Sequence, residues 1–353
     1  KEEGKMRPAL EDWQQLNACR RGLVSSFLRH YRAAGYREAA PLSVTSKQDE
    51  SVVFVGAAIS ALKKDYIYPG KLPAGGLVIA QDAVRTRNVK NMLADDFEPK
   101  WGSYFTNIDT VFPYELKDEA FARALAFFSD KVKLAPEELL LRVHSEDEEL
   151  YQLVRESGWP AVEVDAHPEK YYRHTVGIDG VYGENFNFAV RHKRTGEYSD
   201  VGNFIIFRER ESRRPLFMEV GFGDTVIMQA KYGLAHVMDC YPFPKHPALD
   251  TNRKFKDCII TSQAMMREGL RPSSRDEQSK ILYKYLRGVY YFAGRAGMRP
   301  QELARLLHHS EAMIFGDVRA APAMTALFAA KGGRIEELNR GTLLNLQKER
   351  NER

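Results

Sequence analysis

Residues 186–223 read FNFAVRHKRTGEYSDVGNFIIFRERESRRPLFMEVGFG. Phe186, Phe188 and Val190 alternate with Asn187, Ala189 and Arg191, the two-residue period of a strand with unlike faces. Thr195-Gly196 offers a turn, and Phe204 to Phe207 returns as a second strand. The charged stretch Glu209 to Arg214 suits an exposed hairpin tip, after which Leu216 to Gly223 runs back as a third strand ending in Gly221-Phe222-Gly223. Three strands joined by short turns make an antiparallel meander, and from Val226 onward the pattern becomes helical.

Upstream of this meander, Trp13, Leu16, Leu23, Phe27 and Tyr31 form one apolar helical stripe that Gly35 ends. Ser51 to Val55 and Leu77 to Ala80 read as short strands, separated by the turn-forming Tyr68-Pro69-Gly70 and Gly75-Gly76. A helix follows Lys117 with Phe121, Leu125, Phe128 and Val132 on one face, and Leu139 to Val143 is a strand. Ser145-Glu146-Asp147-Glu148 reads as a capping box opening a helix that Gly158 closes, before a strand begins over Val162 to Asp165. Beyond Pro242, Phe243 and Pro244, helical patterns cover Ile259 to Met266, Lys280 to Phe292, Pro300 to Leu307 and Ile335 to Leu346. The expectation is an α+β fold: an antiparallel sheet with helices over residues 1–245, then a helical domain over 246–353. The boundary falls where three prolines cluster between Tyr241 and Thr251.

The chain has 353 residues, 44% hydrophobic and 28% charged, the balance of a globular protein. No run approaches the roughly 18 apolar residues of a membrane-spanning helix, so no membrane partner is expected. Lys1 to Met6 is charged with no apolar segment behind it, which predicts no secretory signal. Cys19, Cys240 and Cys258 lie far apart, arguing against a disulfide framework or a cysteine zinc site and for a reducing, cytoplasmic compartment. The net charge is only +4, but from Arg253 onward nineteen Lys and Arg face eleven Asp and Glu. The positive excess therefore sits in the last third.

Three polar segments adjoin apolar strands: Arg85-Thr86-Arg87-Asn88, the stretch from Asp200 to Asn203, and the turn from Glu219 to Asp224. Paired arginines at a strand end present planar forks that match phosphate or carboxylate oxygens. Gly221 and Gly223 let backbone approach a ligand ahead of a helix N-terminus. His308-His309 and the isolated His144, His167, His174, His192 and His236 show no ligand spacing, so no metal site is expected. No nucleophile elbow, phosphate-binding P-loop or dinucleotide fingerprint is present.

The order of these segments resembles the catalytic core and helical tRNA-recognition domain of the alanyl type of class II aminoacyl-tRNA synthetase. The stretch from Asp49 to Ile59 is similar to that family's first motif, Ala83 to Asn91 to its C-I-R-T-N-D-I-E-N run, and Ser103 to Asn107 to the close of its second motif. Asp200 to Ile206 resembles E-I-W-N-L-V-F, and Val220 to Gly223 stands where the family has V-D-T-G-M-G-L-E-R. Glu268 to Ser274 resembles D-G-I-x-P-S-N. The resemblance implies a class II synthetase-like antiparallel sheet flanked by helices, and a chemistry in which ATP with magnesium activates an amino acid as an adenylate. It implies that Arg85 acts on the α-phosphate, that Arg85, Arg87, Asn88, Tyr104, Phe105, Gly221 and Gly223 hold the nucleotide, and that Asn203, Asp200 and Glu219 hold the amino acid.

The chain departs from the family in defined places. The third motif's arginine falls on Val226 or, in a shifted register, Met228, and the aspartate that grips the substrate ammonium becomes Gly221 or Glu219. The second motif's glutamate becomes Thr106, the asparagine that reads the acceptor stem becomes Ser274, and the arginine-rich helix becomes Tyr283 to Tyr291. Three readings follow for such a stand-alone paralogue. It is a ligase activating an amino or related carboxylic acid for an acceptor other than tRNA, a tRNA-aminoacylating enzyme with altered identity rules, or a non-adenylating binding or regulatory protein. No residue pattern sets an oligomeric state.

Overall fold

The computed structural model describes residues 13–351, so the reading of Lys1 to Met6 lies outside the described residues. Helix α1 (Trp13–Arg32) buries Leu16, Phe27 and Tyr31, carries Arg29, His30 and Arg32 in its last turn, and gives way to Gly35 at φ 91°. Cations there complement the helix dipole. After β1 (Arg37–Glu38), the expected strand over Ser51 to Val55 is absent. Asp49 Oδ1 accepts from the Ser51 backbone N at 3.1 Å and from its Oγ at 2.6 Å, so a local turn takes the donor a ladder would need. Val55 is tied by backbone hydrogen bonds to Val44 and Val84, and Val52 N donates locally to the Asp49 carbonyl.

Helix α2 (Ile59–Leu62) continues as a wider turn to Ile67 and leads into β2 (Leu77–Val84), four residues longer than the sequence reading. Then come β3 (Tyr104–Phe112), α3 (Lys117–Ala126), β4 (Leu139–Val143), α4 (Glu148–Glu156), β5 (Val162–Val164) and β6 (Arg173–His174). The capping box at Ser145 does not form: α4 is entered from Asp147, and the Ser145 backbone N and Oγ both donate to Asp165, at 2.8 and 2.6 Å. The long meander is β7 (Val181–Arg191), β8 (Tyr198–Glu209) and β9 (Pro215–Gly223), followed by α5 (Asp224–Tyr232). Helix α5 starts two residues before Val226 because buried Asp224 ties its first turn to β3, accepting from the Thr106 backbone N at 3.0 Å. The helical region comprises α6 (Pro247–Asp250), α7 (Arg253–Arg267), α8 (Glu277–Arg295), α9 (Pro300–Phe315) and α10 (Ala321–Asn351).

The strands form one sheet in the order β1-β2-β3-β9-β8-β7-β4-β5, with β6 on β7. Only β1–β2 and β4–β5 pair in parallel, so the fold is α+β: an antiparallel sheet flanked by helices and followed by a helical region. Alternation assigns the two faces. Phe186, Phe188, Phe204, Ile206, Val220 and Phe222 face α1, α3 and α5 in an aromatic core with Phe27, Phe127 and Phe128. Ile205, Phe207 and Phe217 turn to the opposite face, against α2. A third core joins the helical region to the sheet, packing Val84, Met92 and Tyr104 with Phe255, Ile259, Tyr285 and Leu307.

Candidate functional site

On the face opposite the aromatic core lies a cleft of about 950 Å³. Its floor is built by strand alternation: Phe105, Asn107 and Asp109 from β3, Glu219, Gly221 and Gly223 from β9, Asn203 from β8 and Asn187 from β7. Pairing puts Asp109 opposite Gly221, Gly221 opposite Asn203, Asn203 opposite Asn187, and Asn187 opposite Arg142, a polar row across four interstrand steps. The walls come from the 51–57 segment, the Arg85–Asn88 loop, Trp101 and the chain around Arg173 to Gly177.

Of the residues singled out from the sequence, Arg85, Arg87, Asn88, Phe105, Asp200, Asn203, Glu219, Gly221 and Gly223 all line this one cleft. Tyr104 does not. One position earlier on β3 than Phe105, it turns to the other face, donates to Asp82 Oδ2 at 2.8 Å and packs near Tyr241 and Phe315. A nucleotide contact for Tyr104 is therefore corrected to a core role.

Arg85 leaves the end of β2 with its Nε on the Gly56 carbonyl at 2.8 Å and its guanidinium over the Phe105 ring, 4.9 Å from the centroid. Its other nitrogens make no hydrogen bond among the described residues. Desolvation by the cleft walls, and then the neighbouring Arg87 charge, hold its pKa below the ordinary arginine value, yet it stays cationic at any physiological pH. Exposed Arg87 adds a second positive charge at the mouth. Asn88 is spent inward: its Nδ2 donates to the Trp101 carbonyl at 2.7 Å and to Asp257 Oδ2 at 3.1 Å. Asp257, fully buried on α7, also accepts from the Ser103 backbone N and Oγ, both at 2.7 Å, while Tyr285 of α8 donates to Ser103 Oγ. This clasp fixes the arginine loop to the helical region.

Beside Arg85, a Cβ placed on Gly223 would meet Val226 Cγ2 at 3.1 Å and the Phe105 ring at 3.7 Å. Phe105, Gly223 and Val226 thus border a narrow slot of the cleft beside Arg85. At the other end, Asp200 is saturated by Arg142 Nη1 at 2.6 Å and the Tyr171 hydroxyl at 2.5 Å. Asn203 Nδ2 donates to Asn187 Oδ1, which also accepts from Asn185 at 2.7 Å. Among the described residues no group of three or more His, Cys, Asp and Glu side chains is arranged to hold a metal ion.

Asp109 escaped the sequence reading. Its signal was the alternation Asn107-Ile108-Asp109, polar on one face and apolar on the other within a strand buried on both. It is fully buried beside Glu219, and neither of its carboxyl oxygens has a hydrogen-bond donor of good geometry. Burial, and then the Glu219 carboxyl, push its pKa well above the usual carboxylate range. Burial likewise raises Glu219, against the opposing effect of the neighbouring Asp109 and then of His174 and Arg85.

No family model matches the chain. A stretch of 134 residues, 37% of this chain, is 25% identical to an alanine–tRNA ligase of Neorickettsia sennetsu and spans only 16% of that ligase. Among solved structures, asparaginyl-tRNA synthetase of Entamoeba histolytica, determined with asparaginyl-adenylate, aligns at a TM-score of 0.38 with 12% identity over 66% of this chain and 67% of its own. Histidyl-tRNA synthetase of S. aureus gives 0.42 and 10%, over 65% and 73%. Aspartyl tRNA synthetase of E. histolytica gives 0.36 and 12%, over 70% and 64%. Over those spans and at those scores, the proteins this chain is similar to are aminoacyl-tRNA synthetases.

Proposed function

We propose that the cleft activates an amino or related carboxylic acid with ATP and passes the acyl group to a nucleophilic acceptor, tRNA or another. In this reading residues 1–245 are the catalytic domain and 246–353 the acceptor-facing helical domain. One observation carries it: Arg85 and Arg87, the Phe105–Gly223–Val226 slot and the Asn203–Glu219 floor converge on a single cleft. The slot takes the adenine of ATP, which enters as co-substrate with its magnesium. A carboxylate oxygen of the acid attacks the α-phosphorus, the bond to the β-phosphate oxygen breaks, and pyrophosphate leaves with the electron pair. Arg85 stabilises the charge that builds on the α-phosphate oxygens in the in-line displacement. The acceptor then attacks the acyl carbon, AMP departs, and the acceptor's proton goes to solvent or to AMP. Acid-dependent exchange of labelled pyrophosphate into ATP tests this, and no exchange across a broad panel of acids refutes it.

A second reading, a non-adenylating protein on the same fold, is favoured by Val226, which offers no cation for the distal phosphate. Isothermal titration with ATP and magnesium separates the two, since the second predicts no binding. Aminoacylation of tRNA is favoured by the positive excess beyond Arg253 and predicts binding that weakens steeply with salt.

A further inference from the structure

One wall of the cleft sets a serine hydroxyl between a carboxylate and an ammonium, a group that the adenylation step leaves unused. Ser51 is exposed and borders the cleft, and Ser60 and Lys63 border it too. The Ser51 Oγ donates to Asp49 Oδ1 at 2.6 Å and accepts from Lys63 Nζ at 2.8 Å. The Lys63 ammonium in turn lies 2.8 Å from Asp49 Oδ2, and both of these side chains are almost fully buried. Asp49 and Ser51 come from the local turn ahead of α2, and Lys63 from the wider turn that continues this helix. Gly177 closes the far side: a Cβ there would meet Ser51 Oγ at 2.6 Å and Lys63 Nζ at 3.3 Å, so glycine lets the wall approach the hydroxyl.

We propose that Ser51 is a nucleophile that takes the acyl group from the adenylate as an ester, with Asp49 as general base and Lys63 at the attacking oxygen, so that the chain is its own first acyl acceptor. This rests on the adenylation reading above and names the acceptor which that reading leaves open. A serine hydroxyl has one proton and two lone pairs. Here the proton points to a carboxylate and one lone pair to an ammonium, and the second lone pair is left for a carbon electrophile. A nucleophile of this kind needs a base within hydrogen-bond reach and a third group that fixes the base, which Lys63 supplies. A purely structural turn needs no hydroxyl at 51, since the Ser51 backbone N already closes it on Asp49 Oδ1 at 3.1 Å. Burial, which pushes the Asp49 carboxyl up, is outweighed by Lys63, Ser51 and Ser60, so its pKa lies below the ordinary carboxylate value and the base is ionised. In the transfer, Ser51 Oγ attacks the acyl carbon, its proton passes to Asp49 Oδ1, the bond from the acyl carbon to the phosphate oxygen breaks, and AMP leaves with the electron pair. Lys63 stabilises the negative charge on Oγ as the proton departs. The proton then moves from Asp49 to AMP or solvent, and nothing is oxidised or reduced. A second nucleophile that attacks the ester and gives its proton to Oγ restores the free serine.

The test incubates the full chain with ATP, magnesium and a panel of amino and other carboxylic acids, quenches in acid and maps the label by tandem mass spectrometry. The chain is expected to gain one acyl group, the mass of the acid less water, on the peptide that holds Ser51, and hydroxylamine should release it as the hydroxamate. Ser51→Ala is expected to lose the label and Ser51→Cys to carry it as a thioester. Pyrophosphate exchange without label on Ser51, or label confined to hydroxylamine-resistant lysine amides, overturns the proposal. If no acid supports exchange, the adenylation reading fails, and Ser51 is tested by itself with benzoyl methyl phosphate, an acyl phosphate that needs no ATP. Ser212 is the internal control, an exposed hydroxyl that donates to Glu209 Oε2 at 2.5 Å with no lysine on its oxygen among the described residues. Benzoylation of Ser51 about tenfold or more above that of Ser212 supports the nucleophile, and equal labelling of the two serines overturns it.

Discussion

Arg85 combines a hydrogen bond to the Gly56 carbonyl with terminal nitrogens left facing the cleft, so its removal separates chemistry from stability. Arg85→Ala is expected to lower pyrophosphate exchange by about 100-fold or more, typical for losing a preorganised charge at a transition state, while the melting temperature barely moves. Exchange kinetics beside a thermal melt check both halves. Asp109 predicts the opposite pattern. The folded chain keeps a proton on Asp109 that the unfolded chain has lost, over the interval from the ordinary carboxyl pKa up to the raised one. Stability therefore falls as pH rises through that interval. Asp109→Asn is expected to stabilise the fold by about 1 kcal/mol near pH 8, with the gain gone by about pH 4, as urea melts at the two pH values will show. Arg85, Phe105 and Glu219 were legible because motif spacing places them. Tyr104 was misplaced because contiguity in a motif says nothing of which face a residue takes, and Asp109 was invisible because its meaning depends on β3 pairing with β9, more than a hundred residues away.

Among elements, the arginine loop is held from outside the sheet. Asp257 takes the Ser103 backbone N, the Ser103 hydroxyl and the Asn88 amide at once, inside a site with no water-exposed alternative. Asp257→Ala strands those donors and is expected to cost about 3 kcal/mol, whereas Ser103→Ala removes one hydroxyl and costs about 1 kcal/mol. Chemical denaturation of both variants checks the ratio, and a raised KM for ATP in Ser103→Ala would show that the clasp aims Arg85. The meander was plain in the sequence because period-two alternation is a local signal. The 51–55 segment and the Ser145 box were misread for a shared reason: in each, a nearby aspartate, Asp49 or Asp165, captured the donors that the expected strand or cap required.

For the molecule as a whole, the proline cluster after Tyr241 marks a change of composition, yet the third core and the Asp257 clasp run straight across it. The sheet region and the helices are therefore expected to melt together. Far-ultraviolet ellipticity and tryptophan fluorescence should trace one coincident transition, and two separated transitions would show that the helices fold on their own. The helical region was visible in the sequence as a class of structure. Its grip on the arginine loop was not, since Asp257 looks from the sequence like any polar residue on a helix.

Gly221 has a further consequence for how such a chain can change. An aspartate placed at 221 would run into Asp109 Oδ2, so Gly221→Asp on its own is closed by sterics. The two positions are coupled in sign: Asp109→Ala vacates the space that Gly221→Asp needs, so the double variant is expected to fold where Gly221→Asp alone does not, as thermal melts of the three variants would show.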